Sequence, residues 1–151
     1  MACAKLQEYL DKHHVKYVSI KHSPAFTAQQ LAAATHIPGK EVAKTVIVKL
    51  DGTMAMVVLP APEMVRLNHL KAETGTDRVE LASEGEFKGR FPDCEVGAMP
   101  PFGNLYEMRT LVGESLAKDE EIAFNAGTHT ELIKMSYADF ERLVKPEVLR
   151  G

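Results

Sequence analysis

Residues 41–60, EVAKTVIVKLDGTMAMVVLP, constrain the fold more than any other stretch of this chain. Two apolar, β-branched runs flank Asp51-Gly52. An Asp-Gly pair between such runs is a strong hairpin signal, because both turn positions need a positive φ that matches the twist of the paired strands. The spacing predicts a hairpin over 42–59, closed by Pro60 and Pro62. One residue disturbs the pattern. Lys44 shares an alternation face with Val42, Val46 and Val48, whereas Thr45, Ile47 and Lys49 occupy the other. Two readings stay open for it. It is either a solvated strand end that snorkels outward, as most lysines do, or a cation set against an anionic partner.

The rest of the chain alternates short helices with strands. Residues 2–14 carry small or apolar side chains at helical spacing, and 15–20 alternate as a strand. Thr27 and Gln30 form a T-x-x-Q capping box ahead of an Ala-rich helix over 28–36, which Pro38-Gly39 ends. A short helix is expected over 63–74, and a weaker one over 83–90, where Ser83 and Glu86 form a box but Gly85 and Gly89 oppose it. Strands are expected over 105–115, 121–127 and 131–136. Ser136 and Asp139 cap a last helix over 137–145, with Phe140, Leu143 and Val144 inward and Pro146 as its stop. Strands outnumber helices, and hairpin turns outnumber helical crossovers. The expected architecture is α+β: a largely antiparallel mixed sheet or open barrel with helices around it, formed by residues 1–151 as one domain.

Composition narrows the function classes. Hydrophobic residues make up 45% of the 151 and charged residues 26%, which suits a globular core. No apolar run approaches the roughly 20 residues that span a bilayer, and the charged start lacks a signal-peptide pattern, so a cytoplasmic protein is expected with no membrane partner. Cys3 and Cys94 share no C-x-x-C spacing, and no histidine pair has the H-E-x-x-H spacing, so no metal site is expected. The net charge of −3 argues against holding long nucleic acid, DNA included, by charge alone. A local basic patch could still grip an RNA end.

Four features remain once the scaffold is accounted for: Lys44, the loop Gly97-Ala98-Met99-Pro100-Pro101, the turn Gly127-Thr128-His129, and the early loop His22-Ser23-Pro24-Ala25-Phe26-Thr27. Gly97 permits positive φ or close backbone approach, and the two prolines stiffen the chain after it. Such a loop either presents main-chain N–H groups as an oxyanion hole does, or is a rigid surface turn. His129 is either an exposed turn residue or a polar group at a pocket mouth. No G-x-S-x-G nucleophile motif and no phosphate-binding glycine loop is present.

In this order and spacing the four features resemble the YbaK / prolyl-tRNA editing domain family of aminoacyl-tRNA deacylases. The matching pieces are HSPAFTAQQLAAATHIPGKEVAKTVIVK, the G-x-x-x-P loop from Gly97 to Pro101 and the G-x-H turn from Gly127 to His129, within a resemblance that runs from about 16 to 145. The resemblance implies hydrolysis of the ester between a wrong small amino acid (alanine, serine or threonine) and the 3′ end of a tRNA, without metal or cofactor. It implies catalytic roles for Lys44, Gly97 and His129. Phe26, Thr45, Met99, Pro101, Gly127 and Thr128 would then contact substrate. A protein of this length would act in trans or in complex with a synthetase. Alternatively, a silent relative would bind tRNA or a synthetase without turnover. Thr45 replaces the asparagine of some alanine-specific relatives, which leaves the amino acid open.

Overall fold

A computed structural model describes residues 4–23, 28–92 and 94–150. Among the described residues, six helices are α1 (Ala4–Lys12), α2 (Ala28–Thr35), α3 (Leu67–Thr74), α4 (Glu84–Phe87), α5 (Glu114–Ala117) and α6 (Tyr137–Val144). Eight strands are β1 (Tyr17–Lys21), β2 (Ala43–Leu50), β3 (Thr53–Pro60), β4 (Val79–Leu81), β5 (Arg109–Gly113), β6 (Glu121–Thr128), β7 (Glu131–Ser136) and β8 (Glu147–Leu149). The hairpin forms as its sequence dictates. Asp51 and Gly52 both take positive φ, at 50° and 84°, and β2 pairs with β3 from Ala43↔Pro60 to Leu50↔Thr53.

The strands form two sheets rather than one. A three-stranded antiparallel sheet has the order β1-β7-β6, and a five-stranded mixed sheet has the order β4-β2-β3-β5-β8. Four of the pairings are antiparallel, and β3·β5 and β5·β8 are parallel. The sheets meet at one parallel bridge, Val42↔Ala123. There the Val42 carbonyl also accepts the Ala61 N–H at 2.8 Å. Val42, Ala61, Ala123 and Leu132 are buried together at this junction.

Alternation sorts the side chains as expected. Ile47, Met56, Val58 and Val112 point into the space between the sheets. They meet Ile122, Phe124, Ala126, Ile133 and Met135 there, under α1 (Leu6, Leu10) and α6 (Phe140). The opposite face of the mixed sheet, with Val48, Val57, Leu59 and Leu111, packs on Leu70 of α3. Ser136 caps α6 by accepting the Asp139 N–H at 3.1 Å, and the Ser83–Glu86 box closes in both directions. No helix among the described residues is long and apolar enough to cross a membrane.

Several boundaries differ from the sequence expectation. α3 begins at Leu67, because the chain turns after Pro60, with the Glu63 N–H bonded to the Pro60 carbonyl, and is still extended at Arg66 (φ −108°, ψ 105°). The strand expected over 105–115 is confined to 109–113. Gly103–Leu105 coil into a 3₁₀ turn, Glu107 takes positive φ, and Glu114 opens α5. β4 and β8 carry too few residues to show a period; each is held by its neighbour in the sheet, β8 through the paired contacts of Arg109 with both carboxylate oxygens of Glu147 at 2.6 and 3.0 Å. The Thr27 side of the first capping box lies outside the described residues, as does Cys3.

Gly103 is fixed by space. A Cβ there would stand 2.2 Å from Thr110 Oγ1 and 2.6 Å from the Met108 carbonyl oxygen. Backbone cannot yield as a flexible side chain does, and overpacking of this kind typically costs about 1–3 kcal/mol. Gly103→Ala is expected to lose stability on that scale, read as a lower midpoint in urea with an unchanged slope.

Candidate functional site

The loop at Gly97 is a type II β-turn. The Ala98 N–H donates to the Glu95 carbonyl at 3.0 Å, and Gly97 holds the third position at φ +85°. That position needs a left-handed backbone, which glycine adopts without a Cβ penalty. A second special backbone lies at the end of β6. The register against β7 shifts between Asn125 and Thr128, and Gly127 takes φ +93° inside that bulge. Bulges re-aim the chain locally, and they concentrate beside functional sites.

The two turns are clasped together. Glu95 N–H donates to the Gly127 carbonyl at 2.7 Å, and Gly127 N–H donates to the Ala98 carbonyl at 2.9 Å. The His129 N–H donates to Glu95 Oε1 at 2.8 Å, and His129 Nε2 lies 2.8 Å from the Val96 carbonyl oxygen. A carbonyl only accepts, so Nε2 carries the proton. His129 is 8% exposed, so the histidine is not the exposed turn residue that one sequence reading allowed. It braces the flipped peptide of the Gly97 turn.

This arrangement decides which backbone donors a ligand could use. The Ala98 N–H is consumed inside the turn, and Pro100 and Pro101 have none. Among the described residues no hydrogen bond takes the N–H of Gly97 or Met99.

Lys44 stands opposite Leu59 in the β2–β3 ladder, on the face of Val46, Val48 and Val57. It is half-buried. Burial lowers its pKa below the usual lysine range, and the charge of Glu63 works against that shift. Glu63 is itself held by Ser115, whose hydroxyl donates to Glu63 Oε2 at 2.5 Å. The β2–β4 ladder runs only from Val48 to Leu50, and the start of β2 approaches β6 instead, at the Val42↔Ala123 bridge.

The other residues singled out in the sequence fall in different places. Thr45 is half-buried opposite Val58 and points away from Lys44, toward the space between the sheets. Met99 and Pro101 are buried, Met99 within the main core, so they support the loop from beneath. Gly127 is in the clasp, and Thr128 Oγ1 lies 3.5 Å from Thr130 Oγ1. Phe26 lies outside the described residues. Three residues near these features carry no motif: Glu95, Glu63 and Asn125. Only Asn125 left a sequence signal, since asparagine is disfavoured inside a strand. No group of three or more His, Cys, Asp or Glu side chains among the described residues is placed to hold a metal ion.

A cavity of about 560 Å³ opens on the α3 side of the mixed sheet. Val57, Leu59 and Leu70 form its apolar floor, and Glu63 and Ser115 stand on its rim. Lys44, Gly97 and His129 do not line it. It adjoins Lys44 through Leu59 and Glu63, so this cavity and the clustered polar groups are neighbours rather than one site.

The aminoacyl-tRNA editing domain family matches residues 22–143, which takes in Lys44 and both clasped turns. The chain belongs to the aminoacyl-tRNA editing domain family. It is 31% identical over 113 residues to the multifunctional Ser/Thr-tRNA deacylase ProXp-y of Escherichia coli K12, a match that covers 71% of this chain and 66% of that protein. It is 22% identical over 142 residues to the prolyl-tRNA editing protein ProX of Acetoanaerobium sticklandii, covering 90% of this chain and 86% of that one. The crystal structure of the hypothetical protein APE2540 shares the fold, with a TM-score of 0.85 at 22% identity over 95% of this chain and 96% of that one. The expected α+β editing-domain fold is thus the one observed, with an open rather than closed arrangement of its sheets.

In this editing domain the Gly97 turn depends on glycine for its left-handed backbone. A Cβ at Gly97 would meet His129 Cε1 at 3.4 Å, and a side-chain-bearing residue at this φ costs about 1–2 kcal/mol. Gly97→Ala is expected to lower stability by about that amount. It should also weaken hydrogen-exchange protection of the Glu95 and Gly127 amides while leaving the β2–β3 ladder unchanged. Equal protection at all of these amides would show that the clasp does not depend on the turn.

Proposed function

We propose that this protein is a trans-acting aminoacyl-tRNA deacylase that hydrolyses the ester of a small, mischarged amino acid at the tRNA 3′ end. The clasp between the Gly97 turn and the Gly127–His129 turn carries this reading. It offers fixed main-chain donors beside a strand that bears a half-buried cation. Membership of an editing family, and relatives named as Ser/Thr-tRNA deacylase and prolyl-tRNA editing protein, support it. The compartment is then the cytoplasm, where charged tRNA is used, with a synthetase as a further partner.

The chemistry asks little of side chains. Water adds to the acyl carbon, the bond from that carbon to the ribose oxygen breaks, and the freed ribose oxygen takes up a proton given up by that water; the products are an amino acid and an intact tRNA. An aminoacyl ester is already activated, so stabilising the negative charge that grows on the carbonyl oxygen is the main task. The Gly97 N–H is the donor assigned to that oxygen. Lys44 is assigned to the phosphate of the terminal nucleotide, an anion that offsets the burial of its ammonium. His129 is assigned as a positioning residue, because its Nε2 proton is committed to the Val96 carbonyl. No protein nucleophile is required, in keeping with the lack of a nucleophile motif.

The experiment is release of free amino acid from Ala-, Ser-, Thr- and Cys-charged tRNAs. Wild-type protein should clear at least one of them, and Lys44→Ala should lose 100-fold or more in kcat/KM, on the order of 3 kcal/mol, with unaltered thermal unfolding. Binding of tRNA with no turnover on any substrate would replace this reading with that of a silent binding module. Because Lys44 titrates below the usual lysine range, activity corrected for spontaneous hydrolysis should fall as pH rises through that lowered pKa. Glu63→Gln removes the charge that opposes the shift, so the fall should move to lower pH.

A further inference from the structure

Four buried side-chain polar atoms among the described residues have no hydrogen-bond partner in the protein: His22 Nε2, Asp119 Oδ2, Asn125 Oδ1 and the Tyr137 hydroxyl. A buried orphan acceptor costs free energy, so each calls for a physical reason. Asp119 has its other oxygen 3.7 Å from Lys40, and Tyr137 lies in the core, packed on Phe140. His22 borders segment 24–27, which lies outside the described residues. Asn125 is different in its setting.

Asn125 sits on β6 two residues beyond the bridge Val42↔Ala123, and Lys44 sits on β2 two residues beyond the same bridge. The bridge is parallel, so the two strands run on together and both residues face the side that their bridge partners face. Phe124 and Ala126 point into the main core, which turns Asn125 away from it. Asn125 is also the last paired residue before the bulge, and Gly127 of the clasp is two residues on. It therefore lies between the cation and the turn that holds Gly97. An apolar residue would pack in this strand without an orphan group, and asparagine has low strand propensity.

We propose that Asn125 is a substrate-contacting residue whose side-chain carbonyl accepts a hydrogen bond from the aminoacyl group of the bound ester. This rests on the deacylase reading. The donor is either the α-ammonium that every aminoacyl ester carries or the side-chain hydroxyl of a seryl or threonyl group. Both satisfy a buried acceptor beside a scissile carbonyl, and a site built to accept from a substrate donor discriminates strongly against an analogue that lacks it.

The test pairs kinetics with a binding readout. Asn125→Ala should lower kcat/KM at least 10-fold, with an unchanged urea midpoint. A loss shared by Ala-, Ser- and Thr-charged tRNA assigns the ammonium; a loss confined to Ser- and Thr-charged tRNA assigns the hydroxyl. Activity within twofold of wild type on every substrate that the wild type hydrolyses would overturn the proposal. Independently, a hydrolysis-resistant 3′-seryl-amido adenosine, with its alanyl counterpart, is titrated into wild-type protein labelled with ¹⁵N. The side-chain amide pair of Asn125 should shift with saturation. Binding that moves the Gly97 and Lys44 resonances but leaves the Asn125 pair in place would also overturn it. If the wild type binds these adenosines but releases no amino acid from any tRNA, the deacylase reading fails while the amide shift still decides the role of Asn125.

Discussion

The candidate site hangs on a short set of hydrogen bonds between two loops far apart in sequence. Glu95 and Ala98 trade backbone hydrogen bonds with Gly127, and His129 returns two more, to the Glu95 carboxylate and the Val96 carbonyl. Each glycine supplies a backbone angle that lets the next contact form. Gly97 flips the peptide whose carbonyl His129 grips, and Gly127 turns β6 out of register so that His129 arrives there. Neither loop would hold its shape alone, because a surface turn with unpaired peptide groups samples many conformations. Together they fix a donor array on the end of a buried strand pair, which is what preorganised charge stabilisation requires.

The two-sheet arrangement places the cation with respect to that array. The bridge at Val42 brings the first residues of β2 against β6, beyond the end of the β2–β4 ladder. Lys44 therefore projects from the mixed sheet while Gly127 and His129 project from the antiparallel one. The junction is packed by small residues, Ala61 and Ala123, which allow the strands to approach. Small movements of one sheet on the other would change the distance from the cation to the donors, which the buried junction opposes.

The hairpin was legible residue by residue, because Asp51-Gly52 specifies its turn and alternation specifies its faces. The same alternation placed Lys44 correctly among the valines. What sequence could not show is pairing between distant elements. β4 and β8 are three residues each and acquire strand geometry only from the neighbours that bond them. Local pattern likewise suggests one sheet, since nothing in a strand's own sequence states which partner it takes. The G-x-x-x-P and G-x-H elements could be recognised as features, but the carboxylate of Glu95 that ties them together has no local signature. Thr45 illustrates the reverse error of adjacency: it neighbours Lys44 in sequence and, by strand geometry, faces the opposite side.

The physical position of Lys44 explains why a lysine occurs in such a strand at all. Below its lowered pKa the charged form is less comfortable in the folded chain than in the unfolded one, so the group detracts from stability there, and the penalty fades as pH rises through that pKa. A valine would pack better at this position. Glu63, pinned by Ser115, reduces the penalty by its charge without ion-pairing closely enough to occupy the ammonium, and no ion pair of Lys44 is formed among the described residues. A group that is destabilising when alone and still charged is one that an anionic ligand stabilises on arrival. Such a ligand binds the folded chain and not the unfolded one, so its binding would recover stability that the free protein forgoes. The unsatisfied Asn125 carbonyl and the uncommitted Gly97 amide obey the same logic: among the described residues neither has a partner, and each is a group that a ligand with the complementary donor or acceptor would satisfy.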